Sequence, residues 1–437
     1  MTDVLSADWV LPIEGPPIRG GAVMLQGGRI VAVGAAEELG TGRRFDGAAI
    51  LPGFVNAHTH LEYAVYAGFG DGLDFDPWLG LHIERKGRLA SGDAVAIARL
   101  GAAECLAAGV TTIGDASFTG AAARAAAELG LRAIVYLEVF GDDPRAAMER
   151  FAALRDELSG YLSDRVGLGV SPHAPYSTSL EVYEACGRLG LPVATHISES
   201  RAENEWLLYG RGPMASIARL LVAPPGTSGT RLLDSAGLLG PQLLAAHCVD
   251  LDGGEIDLLA RTGTGVAHCP RSNGFLGCGI APLVAMHAAG VRLGLGTDSP
   301  ASTPSFDIFE ELRAAVLCAR ARERRADALT AERALDLATL GSARALGLDA
   351  EVGSLAPGKR ADLTVVSLEG SPYHPWENPA AAVVFGGTRE RVITTLVDGE
   401  ARYERGGFEW HELRRNAESA RSRMLAAPAS AGAAAGT

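Results

Sequence analysis

Histidines recur in this sequence where the chain leaves short apolar runs. His58 and His60 are separated by one residue, and His196 and His247 each end a later apolar run. An aspartate, Asp298, ends a further run in the same way. Residues i and i+2 of an extended segment project to the same side, so the first two imidazoles can converge on one ion. Imidazole nitrogens with one carboxylate oxygen form a donor set that suits zinc or ferrous iron.

Each of these positions also has an ordinary structural explanation. A His-x-His pair at a strand end can be two hydrogen-bonded histidines, and His173 can cap the helix that follows its loop. Glu199, three residues after His196, can be a helix-entry acid stabilised by the helix dipole. It can equally reach the same cavity as an uncoordinated carboxylate. The metal-site hypothesis therefore depends on whether one fold brings these positions together.

The elements that would position these residues follow a regular rhythm. Eight apolar segments alternate with alanine-rich helical stretches, which is the pattern of a (β/α)8 barrel, with an open six-stranded sheet as the alternative. The predicted strands are Ile50–Asn56, Thr111–Asp115, Ala133–Val139, Val166–Ser171, Val193–His196, Leu243–His247, Gly265–His268 and Val291–Thr297. Active sites of such barrels lie at the carboxyl ends of the strands, where His173 and His268 join the residues above.

Shorter β-rich segments lie near both ends of the chain. Gly21–Gly34 alternates and turns at a Gly-Gly pair, as a β-hairpin does. Further strands are predicted at Arg360–Ser367, Ala382–Phe385 and Val392–Val397, with a turn at Asp398-Gly399.

The predicted class is therefore an α/β protein with a TIM-type barrel and a small β-sandwich built from both termini. The sandwich takes residues 1–50 and 355–410, and the barrel takes 51–354. A terminal helix is predicted over 411–425, followed by a flexible tail rich in Ala, Ser and Gly over 426–437.

Composition excludes several classes of partner. The chain has 437 residues and a net charge of -13, whereas a nucleic-acid binder would carry a basic patch. No uninterrupted apolar run reaches the ~18 residues of a membrane-spanning helix. The segment Met1–Leu5 lacks the pattern of a secretory signal, and the six cysteines form no Cys-x-x-Cys pair. We therefore expect a cytoplasmic protein with reduced thiols.

Several segments resemble the amidohydrolase superfamily, in particular its deaminase and chlorohydrolase branch. They are PGFVNAHTH at 52–60, HCPRSN at 268–273, GTDS at 296–299, and the histidines of THISES and AAHCVD. The resemblance covers nearly the whole chain and implies a distorted barrel beside a small β-sandwich. It also implies that one metal ion is held by His58, His60, His196 and Asp298, with His247 next to the bound water.

The scarcity of lysine bears on the number of metal ions. Members of this superfamily with two metals often bridge them with a carboxylated lysine after the fourth strand. The only lysines here are Lys86 and Lys359, and neither lies there. We predict one divalent ion, Zn²⁺ with Fe²⁺ as the alternative. Glu138 lies near the end of the third strand. We expect it to be a structural or substrate-facing acid, with a bridge between two metal ions as the alternative.

The same residues predict a hydrolytic reaction. A bound metal lowers the pKa of its water molecule toward ~7. We expect Asp298 and His247 to orient this water and to take its proton. Glu199 would then deliver a proton to a ring nitrogen of the substrate. The spacing His196-x-x-Glu199 resembles that of the aromatic deaminases, whereas members that displace chloride can lack this proton shuttle. We therefore expect loss of ammonia.

Three further segments resemble aminodeoxyfutalosine deaminases, which convert 6-amino-6-deoxyfutalosine to futalosine in an alternative menaquinone route. The segments are His60–Glu62, Glu199–Leu207, and Ser272-Asn273 with Leu276-Gly277. That substrate is an adenine nucleoside with a benzoate at its 5′ end, so it requires a cation, and the arginine fork suits a carboxylate. The candidate arginines are Arg85, Arg88, Arg201 and Arg271.

Other substrate contacts are predicted in the same way. Glu84, in the lid region, would pair with ribose hydroxyls, with a solvated helix face as its alternative. His173 would donate to a ring nitrogen or sugar oxygen, and Asn273 would also contact the substrate. The stretch Thr303–Phe306 and Arg271 depart from the pattern, which leaves deamination of S-adenosylhomocysteine, methylthioadenosine or adenosine as the runner-up.

Two further functional classes are the remaining alternatives. A non-catalytic barrel would lose metal ligands, and all four predicted ligands are present here. A hydrolase of another C–N or C–Cl bond, with a formimino, guanine-type, cytosine-type or triazine substrate, is the second alternative. The resemblance also implies a homo-oligomer, with a dimer expected, and a small nucleoside as the only predicted ligand besides the metal.

Overall fold

Strands from the N-terminal part of the chain begin a small sheet at one side of the protein. The computed structural model describes residues 2–90, 92–407 and 409–426. The first five strands are β1 (Thr2–Val10), β2 (Ile18–Arg19), β3 (Gly21–Gln26), β4 (Arg29–Ala35) and β5 (Arg43–Pro52). β3 and β4 pair antiparallel, which confirms the predicted hairpin with its Gly27-Gly28 turn.

The next eight strands form a parallel sheet that closes into a barrel. They are β6 (Phe54–Thr59), β7 (Val110–Ser117), β8 (Arg132–Val139), β9 (Val166–Pro172), β10 (Val193–Ile197), β11 (Leu243–His247), β12 (Gly265–His268) and β13 (Arg292–Leu295). Each strand pairs with its sequence neighbour. A parallel bridge between Thr59 and Asp298 joins the last strand's end to the first. The predicted (β/α)8 barrel is confirmed.

Three C-terminal strands complete the small sheet. They are β14 (Leu363–Ser367), β15 (Val392–Val397) and β16 (Glu400–Glu404). The order is β16-β15-β14-β5-β1-β3-β4, with β2 paired to β1, so both chain ends build one domain. This domain has its own apolar core, which includes Val10, Ile50 and Leu363. The predicted small domain from both termini is confirmed. The residue limits proposed for the domains stay predictions.

The helices alternate with the barrel strands and continue at the C-terminus. They are α1 (Ala36–Leu39), α2 (Phe75–Lys86), α3 (Asp93–Ala107), α4 (Ala121–Leu129), α5 (Pro144–Leu158), α6 (Leu180–Gly187), α7 (Arg201–Tyr209), α8 (Gly229–Ser235), α9 (Gly253–Thr262), α10 (Pro270–Phe275), α11 (Leu283–Ala288), α12 (Ile308–Glu323), α13 (Ala331–Asp336), α14 (Ser342–Leu346), α15 (Pro379–Gly386) and α16 (Trp410–Leu425). Among the described residues, no helix combines the length and apolarity needed to cross a membrane. The predicted tail lies outside the described residues after Ala426.

Two local predictions were wrong. The segment Ala382–Phe385 is helical, because Asn378 caps α15 by accepting a hydrogen bond from the backbone of Ala381. The segment 50–56 is two strands, since β5 of the small sheet ends at Pro52 and β6 of the barrel begins at Phe54. Gly53 separates them, and a Cβ there would lie 2.1 Å from the Thr111 side chain.

A buried ion pair joins the barrel to the small domain. Arg132, at the start of β8, donates to Asp362 at 2.8 and 3.1 Å, and the exposed fractions of the two side chains are 6% and 1%. Arg132 also donates to Asp398 at 2.6 Å. Both domains therefore depend on charges that are hidden from water.

Replacing Arg132 with methionine is expected to lower the free energy of unfolding by about 3–5 kcal/mol, because Asp362 would stay buried without its partner. Urea denaturation measures the change. The control Arg155→Met breaks an exposed pair with Asp156 and is expected to cost at most about 1 kcal/mol. Equal losses in the two variants would contradict a special role for the buried pair.

Candidate metal centre and active site

The predicted ligands meet at the carboxyl end of the barrel. His60 Nε2 lies 3.3 Å from His196 Nε2 and 3.5 Å from Asp298 Oδ1. His58 Nε2 lies 3.8 Å from the same oxygen. Ligand atoms of His58, His60 and Asp298 lie within 4.8 Å of one another, as do those of His58, His196 and His247. Strands far apart in sequence thus deliver one compact donor set.

Hydrogen bonds fix the proton positions on two of these rings. His60 Nδ1 donates to the Ala116 carbonyl at 2.8 Å, and His196 Nδ1 donates to the His173 carbonyl at 2.7 Å. Each Nε2 therefore presents a lone pair, and two lone pairs that face each other cannot form a hydrogen bond. His58 Nε2 is also buried without a partner among the described residues. The donor set fits a divalent cation, which gives these atoms a common partner.

The local electrostatics favour the metal-binding protonation states. Burial lowers the pKa of His58 and His196, and the neighbouring imidazoles lower it further. Neutral imidazole is the form that binds a metal. Burial opposes ionisation of Asp298, but nearby imidazoles and the hydrogen bond from Ser272 outweigh it and lower the pKa of this carboxyl.

Backbone and hydroxyl groups hold the Asp298 carboxylate in place. Its Oδ2 accepts hydrogen bonds from Ser272 Oγ at 2.6 Å and Ser302 Oγ at 2.8 Å, and its Oδ1 accepts one from the Ser299 amide at 2.7 Å. Asp298 has a φ of 55° and His247 a φ of 71°, a left-handed conformation that side chains rarely adopt. Such strain is typical of functional sites.

A second group of side chains lies beside the ligands. His247 Nδ1 donates to Asn273 Oδ1 at 3.0 Å, so its Nε2 faces Glu199 Oε1 at 3.7 Å. Ligand atoms of Glu199, His247 and Asp298 lie within 4.8 Å of one another. Burial, and then the Asp298 charge, raise the pKa of Glu199 well above its usual range. A protonated carboxyl at this position can donate a proton into the cavity.

Glu203, which the sequence analysis did not single out, holds the Glu199 loop. Its carboxylate accepts hydrogen bonds from the backbone amides of Ser198 at 2.9 Å and Glu199 at 2.7 Å. Ser200 caps helix α7 by accepting a hydrogen bond from the Glu203 amide. The Ser-x-x-Glu spacing at 200–203 is a capping-box signature, but the Glu203 carboxylate bonds the two amides that precede Ser200 instead of the Ser200 amide itself.

A cavity opens over these groups. The rim side chains on its wall are His60, His173, His196, Glu199, His247 and Asp298. The rest of the wall is largely aromatic or aliphatic, with Phe75 and Trp78 from helix α2 and Tyr176 after strand β9. An apolar wall with a few convergent polar groups suits a small organic ligand.

Comparison with known proteins identifies the fold and its chemistry. Residues 49–402 match the Amidohydrolase family. This chain belongs to that family. The amidohydrolase is also 34% identical over 422 residues to the 5-methylthioadenosine/S-adenosylhomocysteine deaminase of Symbiobacterium thermophilum, covering 92% of this chain and 93% of the relative. It is 34% identical over 410 residues to the 5'-deoxyadenosine deaminase of Methanothermobacter thermautotrophicus, covering 90% and 91%.

Solved structures agree with this assignment. A zinc-bound adenosine deaminase from Xanthomonas campestris superposes with a TM-score of 0.85 at 30% identity, covering 96% of this chain and 98% of that one. A zinc-bound atrazine chlorohydrolase from Arthrobacter aurescens gives 0.83 at 22% identity, covering 96% and 99%, which shows the shared fold alone. The family and its deaminase-named members confirm the prediction of a hydrolytic deaminase.

The structure does not bring every predicted substrate contact of this amidohydrolase to the cavity. His173 lies on the wall, and its Nδ1 bonds to Ser177 Oγ at 2.7 Å. Glu84 lies on the exposed side of helix α2, paired with Arg88. Arg201 is exposed at the start of helix α7, away from the cavity wall. His268 is buried outside the ligand group.

The candidate arginines have other partners. Arg271 donates to Glu311 and Glu310, and its guanidinium also bonds the Ser305 carbonyl at 2.7 Å. Arg271 therefore holds the stretch 303–306 in place. This contact accounts for both departures from the family pattern, Arg271 itself and the stretch Thr303–Phe306. Arg85 lies 4.3 Å over the Phe69 ring. No arginine among the described residues lines the main cavity.

Asn273 lies behind His247 and, among the described residues, is not on the cavity wall. Replacing Asn273 with alanine is expected to lower kcat by about 10- to 100-fold, because the His247 ring loses the acceptor that orients it. Steady-state kinetics with a metal assay measures this. Asn204→Ala, which removes another buried amide that bonds Asp250, is the matched control. Wild-type kcat in the Asn273 variant would contradict the assignment.

Proposed function

We propose that this amidohydrolase deaminates adenine-type nucleosides by hydrolysis. The observation that carries the proposal is the buried Glu199 carboxyl, 3.7 Å from His247, at the edge of the histidine and aspartate donor set. That arrangement supports a role for Glu199 as proton donor beside the groups that would handle water. The relatives named as deaminases of methylthioadenosine, S-adenosylhomocysteine and 5'-deoxyadenosine support it.

The ligands of one divalent ion would be His58, His60, His196 and Asp298. When bound, the ion lowers the pKa of a water molecule so that a nucleophile forms near neutral pH. Glu138 does not belong to any group of three ligand atoms found among the described residues, which supports a single ion over a glutamate-bridged pair. Zinc is the proposed metal and ferrous iron the alternative, and elemental analysis of the purified protein distinguishes them.

The protein groups then divide the proton transfers. Asp298 and His247 orient the attacking water and accept its proton. Glu199 delivers a proton to the purine ring nitrogen as the oxygen adds to the adjacent carbon. The proton taken from the water passes to the amino group, the carbon–nitrogen bond breaks, and ammonia leaves. The hydroxyl proton on the ring carbon returns to Glu199, so the oxygen stays as a carbonyl. General acid–base assistance of this type typically contributes about 10²–10⁴ in rate.

For the substrate, we propose 6-amino-6-deoxyfutalosine, a reaction of menaquinone biosynthesis that yields futalosine and ammonia. The alternatives are S-adenosylhomocysteine and methylthioadenosine, which the name of one relative favours, and adenosine, which the name of a similar solved structure favours. Comparing kcat/KM over this panel decides between them. A higher value for aminodeoxyfutalosine is expected, and a preference for any other nucleoside would overturn the first choice.

Two more predictions accompany this function. The expected homodimer is tested by light scattering of the purified protein at several concentrations. The expected cytoplasmic location is tested by fractionation of the source cells. Release of chloride from a triazine with no reaction on nucleosides would instead favour the alternative hydrolase class.

A further inference from the structure

Glu203 is the third residue of helix α7, and its side chain is fully buried. Each of its two carboxylate oxygens accepts one backbone hydrogen bond, from the Ser198 amide at 2.9 Å and from the Glu199 amide at 2.7 Å. A capping-box glutamate normally bonds the amide of the helix N-cap, which is Ser200 in α7. The Glu203 side chain instead reaches back to the loop that carries the proposed proton donor.

The next helix of the barrel shows the ordinary arrangement. Glu255 occupies the same third position in helix α9 and is also buried. One of its oxygens accepts a hydrogen bond from the amide of its N-cap, Asp252, at 2.9 Å, and the other accepts one from Ser228 Oγ. The two glutamates therefore share residue type, burial and helix position. Of the two, Glu203 is the one that bonds a residue of the candidate active site.

One peptide group links the Glu199 loop to the loop that follows strand β11. The peptide between Ser198 and Glu199 donates its N–H to Glu203, and its carbonyl accepts hydrogen bonds from the Val249 and Asp250 amides, both at 2.9 Å. A peptide group is planar and turns as one unit. The Glu203 carboxylate therefore also fixes the direction in which this carbonyl faces the β11 loop.

Both of these loops contain strained backbone. Ser198 has a φ of 51°, and His247 and Cys248 have φ values of 71° and 52°. Residues other than glycine rarely adopt this left-handed conformation, and it persists only where the surrounding contacts hold it. Glu199 directly follows the first strained residue, and His247 is itself strained. The hydrogen bonds that begin at Glu203 are among the contacts that hold both conformations.

We propose that Glu203 is a positioning residue that holds Glu199 and His247 at their working separation, an inference that rests on the proposed function. Glu199 Oε1 and His247 Nε2 lie 3.7 Å apart. Among the described residues, Glu203 belongs neither to the cavity wall nor to the groups of ligand atoms, so it acts through the two loops. A displacement of about 1 Å at reacting groups can cost about 10²-fold in rate, which makes this support important for turnover.

The test compares Glu203→Gln with the matched control Glu255→Gln. Glutamine keeps one acceptor oxygen, but its NH₂ group would face a backbone N–H, so one of the two hydrogen bonds of Glu203 is lost. In Glu203→Gln, kcat is expected to fall about 10- to 100-fold with little change in KM. Glu255→Gln should keep kcat close to that of the wild type. When Glu203→Gln is combined with Glu199→Gln, the loss should be smaller than the product of the two single losses, because the two side chains act as one unit.

Hydrogen exchange followed by mass spectrometry supplies a readout that needs no turnover. In Glu203→Gln, faster exchange is expected at the two amides bonded to Glu203 and at the two bonded to the Ser198 carbonyl. Glu255→Gln should leave these four amides unchanged. Melting temperature and metal content are measured for every variant, and both are expected to stay near the wild-type values in Glu203→Gln.

Four results would overturn the proposal: wild-type kcat in Glu203→Gln, an equal fall in Glu255→Gln, losses that multiply in the double variant, and loss of metal from Glu203→Gln. A general loss of protection along the barrel with a lower melting temperature would also overturn it, since Glu203 would then serve folding alone. Failure of the proposed function looks different. Wild-type enzyme would then release no ammonia from any adenine nucleoside, while the exchange comparison would still report on the two loops.

Discussion

Replacing Glu199 with glutamine is expected to lower kcat by about 10²–10⁴-fold while the metal stays bound. Glutamine has nearly the same shape, but its amide cannot deliver the proton that the raised pKa of Glu199 makes available at the cavity. The Glu199 side chain lies beside the donor set, and it is not one of the four predicted metal ligands. The measurements are steady-state deamination rates and the metal content of the purified variant.

Glu205→Gln is the matched control, because it makes the same substitution on helix α7 at a side chain that is 38% exposed and near Arg211. Its activity should remain close to that of the wild type. A Glu199 variant that deaminates at the normal rate would show that the proton reaches the ring by another route. Loss of metal from that variant would instead make Glu199 a ligand.

Replacing Asp298 with alanine is expected to abolish both metal binding and turnover. This carboxylate supplies the only oxygen among the predicted ligands, and its Oδ1 faces His58 at 3.8 Å and His60 at 3.5 Å. Loss of a supporting partner typically costs about 10- to 100-fold, so loss of the ligand itself should weaken metal binding by more than about 100-fold. Equilibrium dialysis against the metal measures the change.

Ser302→Ala is the control. Ser302 Oγ donates to Asp298 Oδ2 at 2.8 Å, and Ser302 is not a predicted metal ligand. Its metal affinity should fall by no more than about 100-fold. An Asp298 variant that keeps stoichiometric metal and activity at micromolar metal would refute the ligand assignment. The same outcome would leave His247 as the sole proton acceptor of the two.

The barrel and its donor set were predictable because both depend on local signals. Parallel strands covered by helices are buried on both faces, so they appear as short apolar runs such as β8, which is buried along its whole length. The carboxyl ends of such strands meet at one rim. Residues like His196 and Asp298 could therefore be placed together without knowledge of any contact.

Helix α2 shows why the substrate contacts were harder to predict. His82, Ile83 and Lys86 line the cavity, whereas Glu84 is exposed. One residue along a helix turns the side chain by about 100°, so the rotation of the helix decides which residues reach the substrate. That rotation is set by tertiary packing. The sequence placed Glu84 in the correct helix but could not determine the face on which it lies.

Tertiary contacts also account for the other errors. The apolar segment 382–385 has strand propensity, but burial on several sides and the Asn378 cap favour a helix. Arg271 looked available for a substrate carboxylate because its acidic partners Glu310 and Glu311 lie some forty residues away. In the sequence, the position of Lys86 bore only on the number of metal ions. Its place on the cavity wall became visible once the helix was packed.

The most direct test of hydrolytic deamination is isotope incorporation during turnover in H₂¹⁸O. The metal-loaded protein is incubated with aminodeoxyfutalosine and with the alternative adenine nucleosides, and the products are analysed by mass spectrometry with a parallel ammonia assay. We predict one ¹⁸O atom in the purine ring carbonyl and one ammonia for each nucleoside consumed. Folded, metal-loaded protein that converts no adenine nucleoside, or a product without the label, would contradict the proposed function.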